Sequence, residues 1–351
     1  MINELGWNKV LQEEWETLAL PEWTIGRVIT LSHDLFKVMT NNGEWIGSLP
    51  GSYNYDATFD YPAVGDWVAI EQLPGESRGM IRHVMKRRSQ FVRHGAGLET
   101  KAQVVASNID FAFLIMSCND DFNIRRLERY LVSAWDSGAQ PVVVLTKSDL
   151  IDEQMRLDME LKVNEAAFGV SLIFVSNQTG EGISDLQELV QPNFTAALLG
   201  SSGVGKSTLV NSLLNADKMK TNTIRKDDSK GKHTTTHREL IVLPSGGIVV
   251  DTPGMRELHL WSRDESDGVS KSFSDIESLF SSCKFNDCRH QTEPGCAVKA
   301  ALEEGTPSQS RYNSYLKLQK ELAYVKKKEA EKAHLLEKKK KQTVYTRRNR
   351  N

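Results

Sequence analysis

The chain has 351 residues, 39% of them hydrophobic, with 44 Lys and Arg against 46 Asp and Glu for a formal charge of -2. That length exceeds a domain of roughly 100–200 residues and predicts two or three units with cores of their own. The composition excludes a wholly disordered, collagenous or disulfide-scaffold chain. No apolar run approaches the roughly 20 residues needed to cross a bilayer, and the start, M-I-N-E-L-G-W-N-K, lacks a basic-then-apolar leader. A cytoplasmic protein with no membrane partner is therefore expected. The small net charge hides an asymmetry: residues 320–351 carry 12 Lys and Arg against 4 Glu, so this tail is +8 and the rest -10. A basic tail on an acidic body suits either a polyanion contact or a solvated charged helix.

Residues 1–23 hold Trp7, Trp15 and Trp23 in a polar setting and predict a short helical extension. From 24 to 93 the texture is β: I-G-R-V-I-T-L, L-F-K-V-M-T, an N-N-G turn at 41–43, E-W-I-G-S-L, G-D-W-V-A-I and G-M-I-R-H-V. Short strands between Gly, Asn and Pro turns predict an OB-like β-barrel, and an SH3-like barrel would read almost the same. The stretch 94–104, polar and without a period, reads as a linker. Uniformly apolar runs then begin at 110 (D-F-A-F-L-I-M-S), 141 (P-V-V-V-L), 171 (S-L-I-F-V-S), 196 (A-A-L-L-G) and 247 (G-I-V-V-D), with helical segments between them. Such runs suit strands buried on both faces, so residues 105–262 predict an α/β domain, a mostly parallel sheet with helices on both faces. An α-helical, cysteine-bearing module over 263–319 and the basic tail, 320–351, complete a multidomain chain.

The sharpest motif is G-S-S-G-V-G-K-S, which matches G-x-x-x-x-G-K-[ST] between an apolar strand and a helix-like segment. Gly200, Ser201, Ser202, Gly203, Val204 and Gly205 would offer backbone N–H groups to phosphates. Lys206 would reach the β/γ-phosphates, Ser207 would ligate Mg²⁺, and Thr208 follows at the helix start. D-T-P-G at 251–254 closes another strand, where Asp251 could hold Mg²⁺ and Gly254 lets backbone approach a γ-phosphate. T-K-S-D, Thr146 to Asp149, resembles the guanine-reading motif of GTPases. The Asp149 carboxylate can accept from guanine N1–H and N2–H₂, a donor pair adenine lacks, while Lys147 lies along the base and Ser148 separates the two. Thr146 stands where Asn is usual, with a hydroxyl in place of the tethering amide. Ser176 and Asn177, in S-N-Q-T-G, resemble the remaining base-side loop.

These pieces run in an unusual order, because both base-side loops precede the phosphate loop and D-T-P-G follows it. That is a circular permutation of the Ras-like order, and it leaves the strands free to occupy the same sheet. A barrel, a permuted GTPase domain and then a Cys/His module resemble the RsgA (YjeQ/YloQ) family of ribosome small-subunit biogenesis GTPases over residues 24–320. The resemblance makes G-K-H-T-T-T at 231–236 switch I, with Thr235, or its neighbours Thr234 or Thr236, capping Mg²⁺ and the γ-phosphate and His233 orienting the water. Met255 occupies the position where Ras-like enzymes carry a water-orienting Gln, so slow intrinsic turnover is expected. The resemblance further implies a cytoplasmic monomer that binds GTP and GDP, the 30S ribosomal subunit and its 16S rRNA, and no DNA. It would assist late maturation of that subunit, which in turn stimulates hydrolysis of GTP.

Cys283, Cys288, His290 and Cys296 supply three thiolates and an imidazole within 14 residues, the donor set of one closed, structural Zn²⁺ site, whereas Cys118 stands alone. The barrel, this module and the basic tail together suggest RNA as partner. Two rival functions remain at this stage, a GTP-gated RNA-binding adaptor with negligible turnover and an ATP-using P-loop enzyme of nucleic-acid metabolism.

Overall fold

The chain divides into two compact units, Met1–His259 and Leu260–Asn351. The structure, a computed structural model, describes residues 2–18, 22–32, 35–51, 60–73, 75–94, 102–215, 238–251 and 268–348.

In the first unit the β-rich segment folds as β1 (Trp23–Ser32), β2 (Leu35–Thr40), β3 (Gly43–Ser48), β4 (Trp67–Gln72) and β5 (Arg78–Val84). The order β1-β2-β3-β5-β4, with β4 pairing back to β1, closes a five-stranded barrel. The β3–β5 pair is parallel and the others antiparallel, a Greek-key closure that fits the OB-like reading. Asn41 and Asn42 form the β2–β3 hairpin loop, and Gly43 supplies the positive φ of 102° that ends it. Alternation along the strands sends Val28, Phe36, Val38, Trp45, Val68, Ile70 and Ile81 into one core. Gly26 permits that closeness, because a Cβ there would lie 2.4 Å from Val38 Cγ1. Ahead of the barrel, α1 (Lys9–Leu18) and the preceding turn bury Ile2, Leu5 and Leu11, and Trp7 packs edge-on against Trp67 at 4.9 Å.

The stretch read as a linker differs from that reading. Its described ends belong to a hairpin, β6 (Gln90–His94) paired antiparallel with β7 (Ala102–Ser107) from Gln90↔Ser107 to His94↔Ala102. The strands are short and half polar, so their alternation was hidden by the glycines that lie between them.

The apolar runs become β8 (Phe111–Ser117), β9 (Gln140–Thr146), β10 (Ser171–Val175), β11 (Thr195–Gly200) and β13 (Ile248–Asp251), parallel in the order β10-β9-β8-β11-β13. Antiparallel β12 (Arg238–Val242) follows and meets β1 at Thr30↔Glu239. Ala112, Leu114 and Met116 join one hydrophobic cluster while Phe113 and Ile115 join another, so both faces of β8 are covered. The covering helices are α2 (Ile124–Ser137), α3 (Glu153–Ala166), α4 (Ile183–Leu189) and α5 (Lys206–Leu214). Asn123 caps α2 by accepting from the Arg126 amide, and Gly138 ends it in the left-handed region. Arg27 knits barrel and sheet together: fully buried, it donates to the carbonyls of Leu5, Gly65 and Asn108 and to Thr195 Oγ1. Burial lowers its guanidinium to about 10, against the pull of the Asp110 carboxylate.

In the second unit, α6 (Gly268–Ser272), α7 (Ser274–Glu277), α8 (Ala297–Glu304) and α9 (Gln309–Arg348) bury Val269, Phe273, Ile276, Val298, Tyr312, Tyr315 and Leu318, with Phe273 edge-on to Tyr315 at 5.5 Å. Arg311 joins α9 to α7 through Asp275 at 2.6 and 2.7 Å and lies 4.7 Å over the Phe273 ring. Among the described side chains, buried apolar positions spaced three and four apart end at Leu322, yet α9 spans 40 residues in all and runs into the basic tail.

Candidate functional site

Parallel pairing brings the carboxyl ends of β8, β9, β10, β11 and β13 to one edge of the sheet, where ligands of open α/β sheets bind. The phosphate-loop motif occupies that edge. Its strand ends at Gly200, where a Cβ would stand 2.5 Å from the Ile115 carbonyl, and its helix begins at Lys206. Gly203 and Gly205 have φ of 79° and 97°, which side chains with a Cβ rarely adopt. Val204 between them is buried and anchors the loop in the core. Lys206 Nζ lies across the loop, donating to the carbonyls of Gly200 at 2.7 Å and Ser201 at 2.6 Å. Ser207 and Thr208 form the first turn of α5, beside the exposed Ser202.

The two base-side loops meet this one through specific bonds. Thr146, wholly buried at the end of β9, donates its hydroxyl to the Val204 carbonyl at 2.6 Å, with the Met116 carbonyl at 3.2 Å. The tether that the missing Asn amide put in question is thus made by a hydroxyl. Lys147 adopts a φ of 61° and donates Nζ to the Gly203 carbonyl at 3.2 Å. Ser176 donates to Asp149 Oδ1 at 2.6 Å and accepts from the amides of Gln178 and Thr179 at 3.2 Å each, which fixes the carboxylate against the second loop. Asn177 accepts from Ser212 of α5 at 2.9 Å.

Sequence reasoning missed the brace behind these loops. Glu181 accepts from Ser148 and from Arg156, both at 2.5 Å, and the Arg156 guanidinium lies 4.1 Å over the Phe174 ring. The Ser148 hydrogen bond, helped by Arg156, holds the Glu181 carboxyl below the usual carboxylate range against slight burial. It also missed Asp121, whose Oδ1 accepts from Ser201 of the phosphate loop at 2.8 Å. Neither contact has a spacing signature, since the partners lie 33, 25 and 80 residues apart.

Asp251 ends β13, buried, one strand from the phosphate loop. With Ser207 it offers hard oxygen donors of the kind Mg²⁺ takes. His233, Thr235 and Gly254 lie outside the described residues.

In the second unit the donor atoms of Cys283, Cys288, His290 and Cys296 all lie within 4.8 Å of one another. His290 Nδ1 is 3.6 Å from Cys283 Sγ and 3.5 Å from Cys296 Sγ. A tetrahedron with Zn–S of about 2.3 Å and Zn–N of about 2.0–2.1 Å has S···N edges near 3.6 Å, so these residues fit one closed zinc site. Phe280 stacks on the imidazole at 4.4 Å, and Glu293 accepts from the amides of Arg289, Gln291 and Thr292. The bond from its own backbone amide first, and those from Gln291, Arg289 and Thr292 after it, drive the Glu293 carboxyl down to about 2.

A glycine cradle, a lysine over it and guanine-side loops tied to it by Thr146 and Lys147, strung in permuted chain order, define a circularly permuted P-loop GTPase. The family model for the RsgA GTPase matches residues 84–261, and that for the 50S ribosome-binding GTPase matches 195–338, beginning at β11, where an unpermuted order would start. The chain is 45% identical over 321 residues, 90% of either protein, to the small ribosomal subunit biogenesis GTPase RsgA 1 of Oceanobacillus iheyensis. The chain belongs to the RsgA GTPase family. Its fold is similar to the crystal structure of YjeQ from Thermotoga maritima (TM-score 0.64, 27% identity, 86% of this chain and 99% of the other). It is likewise similar to that of YloQ, a circularly permuted GTPase (TM-score 0.62, 26% identity, 86% and 96%).

Proposed function

We propose that this chain hydrolyses GTP to GDP and phosphate when bound to the small (30S) ribosomal subunit, and assists the late maturation of that subunit. One observation carries the nucleotide half: Asp149 is fixed by Ser176, while the same T-K-S-D loop is bonded through Thr146 to the phosphate loop, so guanine reading and phosphate binding share one site. The ribosomal half rests on relatives named small ribosomal subunit biogenesis GTPases.

Lys206 neutralises charge that develops on the β/γ-phosphates, and the loop amides from Gly200 to Thr208 hold the phosphates in line. Ser207, Thr235 and Asp251 would hold Mg²⁺, which would supply positive charge to offset that of the phosphates, and Gly254 would offer its amide to the γ-phosphate. Thr146, Lys147, Ser148 and Asp149 with Ser176 and Asn177 select guanine, and His233 orients the attacking water. Cys283, Cys288, His290 and Cys296 would hold one structural Zn²⁺, which would fix the second unit. The 16S rRNA contacts are the barrel, that module and the exposed lysines of α9, such as Lys326, Lys327 and Lys328. Among the described residues no helix is long and apolar enough to cross a membrane, and the chain acts in the cytoplasm as a monomer without DNA.

Steady-state phosphate release from GTP and from ATP, with and without purified 30S subunits, tests this. A GTP-only rate that rises at least about tenfold with subunits, roughly 1.4 kcal/mol of transition-state stabilisation, is expected. Met255 in place of the usual Gln favours a second reading, a GTP-gated RNA-binding adaptor; tight GTP binding with an unchanged, near-zero rate would establish it.

A further inference from the structure

A hold on the phosphate loop comes from outside the nucleotide motifs. β8 and β11 run side by side, Gly200 level with Ile115, so the chain that leaves β8 passes the first turn of the phosphate loop. Asn119 folds that chain back, accepting from Ser117 Oγ at 2.6 Å and from the Asp121 amide at 3.1 Å. Asp121 is thereby presented to the loop. Its Oδ1 accepts from Ser201 Oγ at 2.8 Å and from Arg126 Nη2 at 2.9 Å, and Arg126 also donates to the Asp121 carbonyl. Asp121 Oδ2 and Arg126 Nε are buried and meet no hydrogen-bond partner among the described residues, so the side-chain bonds of this pair to each other and to Ser201 run through one oxygen. The Ser201 carbonyl in turn carries Lys206 Nζ at 2.6 Å. The residue that Asp121 grips is thus one of the two whose backbone places the phosphate-reading lysine.

We propose that Asp121, oriented by Arg126, is a positioning residue for GTP binding: it fixes Ser201 and through it Lys206. The inference rests on the GTP-site reading above. A carboxylate beside a polyanion site would by itself repel phosphate; here Arg126 compensates its charge, and what remains for the loop is a charge-assisted hydrogen bond. Loss of either end of that bond releases the same serine, so the two truncations act as one event.

Equilibrium titration of the full chain with fluorescent GDP and with a non-hydrolysable GTP analogue, and steady-state GTP hydrolysis, supply the test. Ser201→Ala and Asp121→Ala each raise the dissociation constant five- to tenfold, lower kcat at saturating GTP about threefold, and in combination cost no more than either alone. Ser201→Thr keeps the hydroxyl and restores wild-type binding. A role confined to the start of α2 predicts the reverse, a lowered melting temperature in Asp121→Ala with nucleotide constants unmoved. Wild-type binding in both single variants, or effects that multiply in the double variant, overturn the inference while leaving the GTP site standing. A wild-type chain that binds no guanine nucleotide overturns both.

Discussion

The guanine-side loops and the Cys/His cluster each hold a few polar groups on short loops, yet different material fixes them. Behind the phosphate loop stand Leu198, Leu199, Ile115 and Val250 with no exposure, and the loops above that core are bonded to one another: Thr146 to the buried Val204, Lys147 to Gly203, Ser176 to Asp149. Among the described residues of the second unit, no strand lies beneath the cluster. Cys283, Cys288 and His290 are half-buried, Cys296 alone is buried, and their loops are joined by the Phe280–His290 stack and the Glu293 amide bonds. A sheet can preorganise a site before its ligand arrives, because burial of apolar strands has already fixed the backbone. Three thiols and an imidazole at mutual contact have no such sheet beneath them and would gain that support from an ion held among them.

Removal of that ion is the strongest way to break the comparison. Chelation, or Cys288→Ser, should unfold the second unit with a loss on the order of 10 kcal/mol of metal-binding free energy, seen as lost near-UV circular dichroism from Tyr312 and Tyr315. The affinity for GDP should stay within about twofold, because its donors lie on the first unit. Nucleotide affinity that collapses together with the metal would abolish the contrast. Next comes Lys206→Ala, which removes the ammonium from the cradle and should weaken GTP binding by about 3 kcal/mol, over a hundredfold, with an unchanged melting temperature. Thr146→Val is gentler. It leaves the buried Val204 carbonyl without its donor, for about 1–2 kcal/mol, and isothermal titration should show GTP bound roughly tenfold more weakly while Thr146→Ser stays close to wild type.

Why some of this was legible in the sequence follows from the range of the constraint. The phosphate loop needs glycines at positive φ and a lysine one residue on, a local demand that eight consecutive residues record. Strands buried on both faces write themselves as apolar runs, and all five parallel strands appeared where those runs lie. The Cys/His cluster was legible because its ligands sit within 14 residues. The hairpin of β6 and β7 was not, because Arg93, His94 and Gln103 break its alternation. Nor were Glu181 with Arg156, or Asp121 with Ser201, which only the strand order brings together. In α9 the last buried apolar position among the described side chains is Leu322, and Lys, Glu and Ala, good helix formers, fill much of the helix beyond it, which charge counting alone left open.

The smallest effect concerns two carboxylates, one at each site. Glu181 is held below its ordinary 4.5 by Ser148 first and Arg156 second, whereas backbone amides hold Glu293 at about 2. A carboxyl depressed in the folded state stabilises it above the unfolded value and loses that contribution as pH falls through the folded one. Both contributions are therefore complete near pH 6 and fade below about 4.5. The Glu181 side chain is 38% exposed, so solvent screens its pair with Arg156 and the effect is small. Urea unfolding of wild type against Glu181→Gln should give a modest midpoint difference at pH 6 that shrinks as the pH falls below 4.5. A difference that persists unchanged at pH 3.5 would mean that Glu181 acts by shape rather than charge. Glu293→Gln should keep its midpoint difference to lower pH than Glu181→Gln, since a carboxyl held near 2 stays ionised as the pH falls to about 4.5, each difference being read on its own unit's signal.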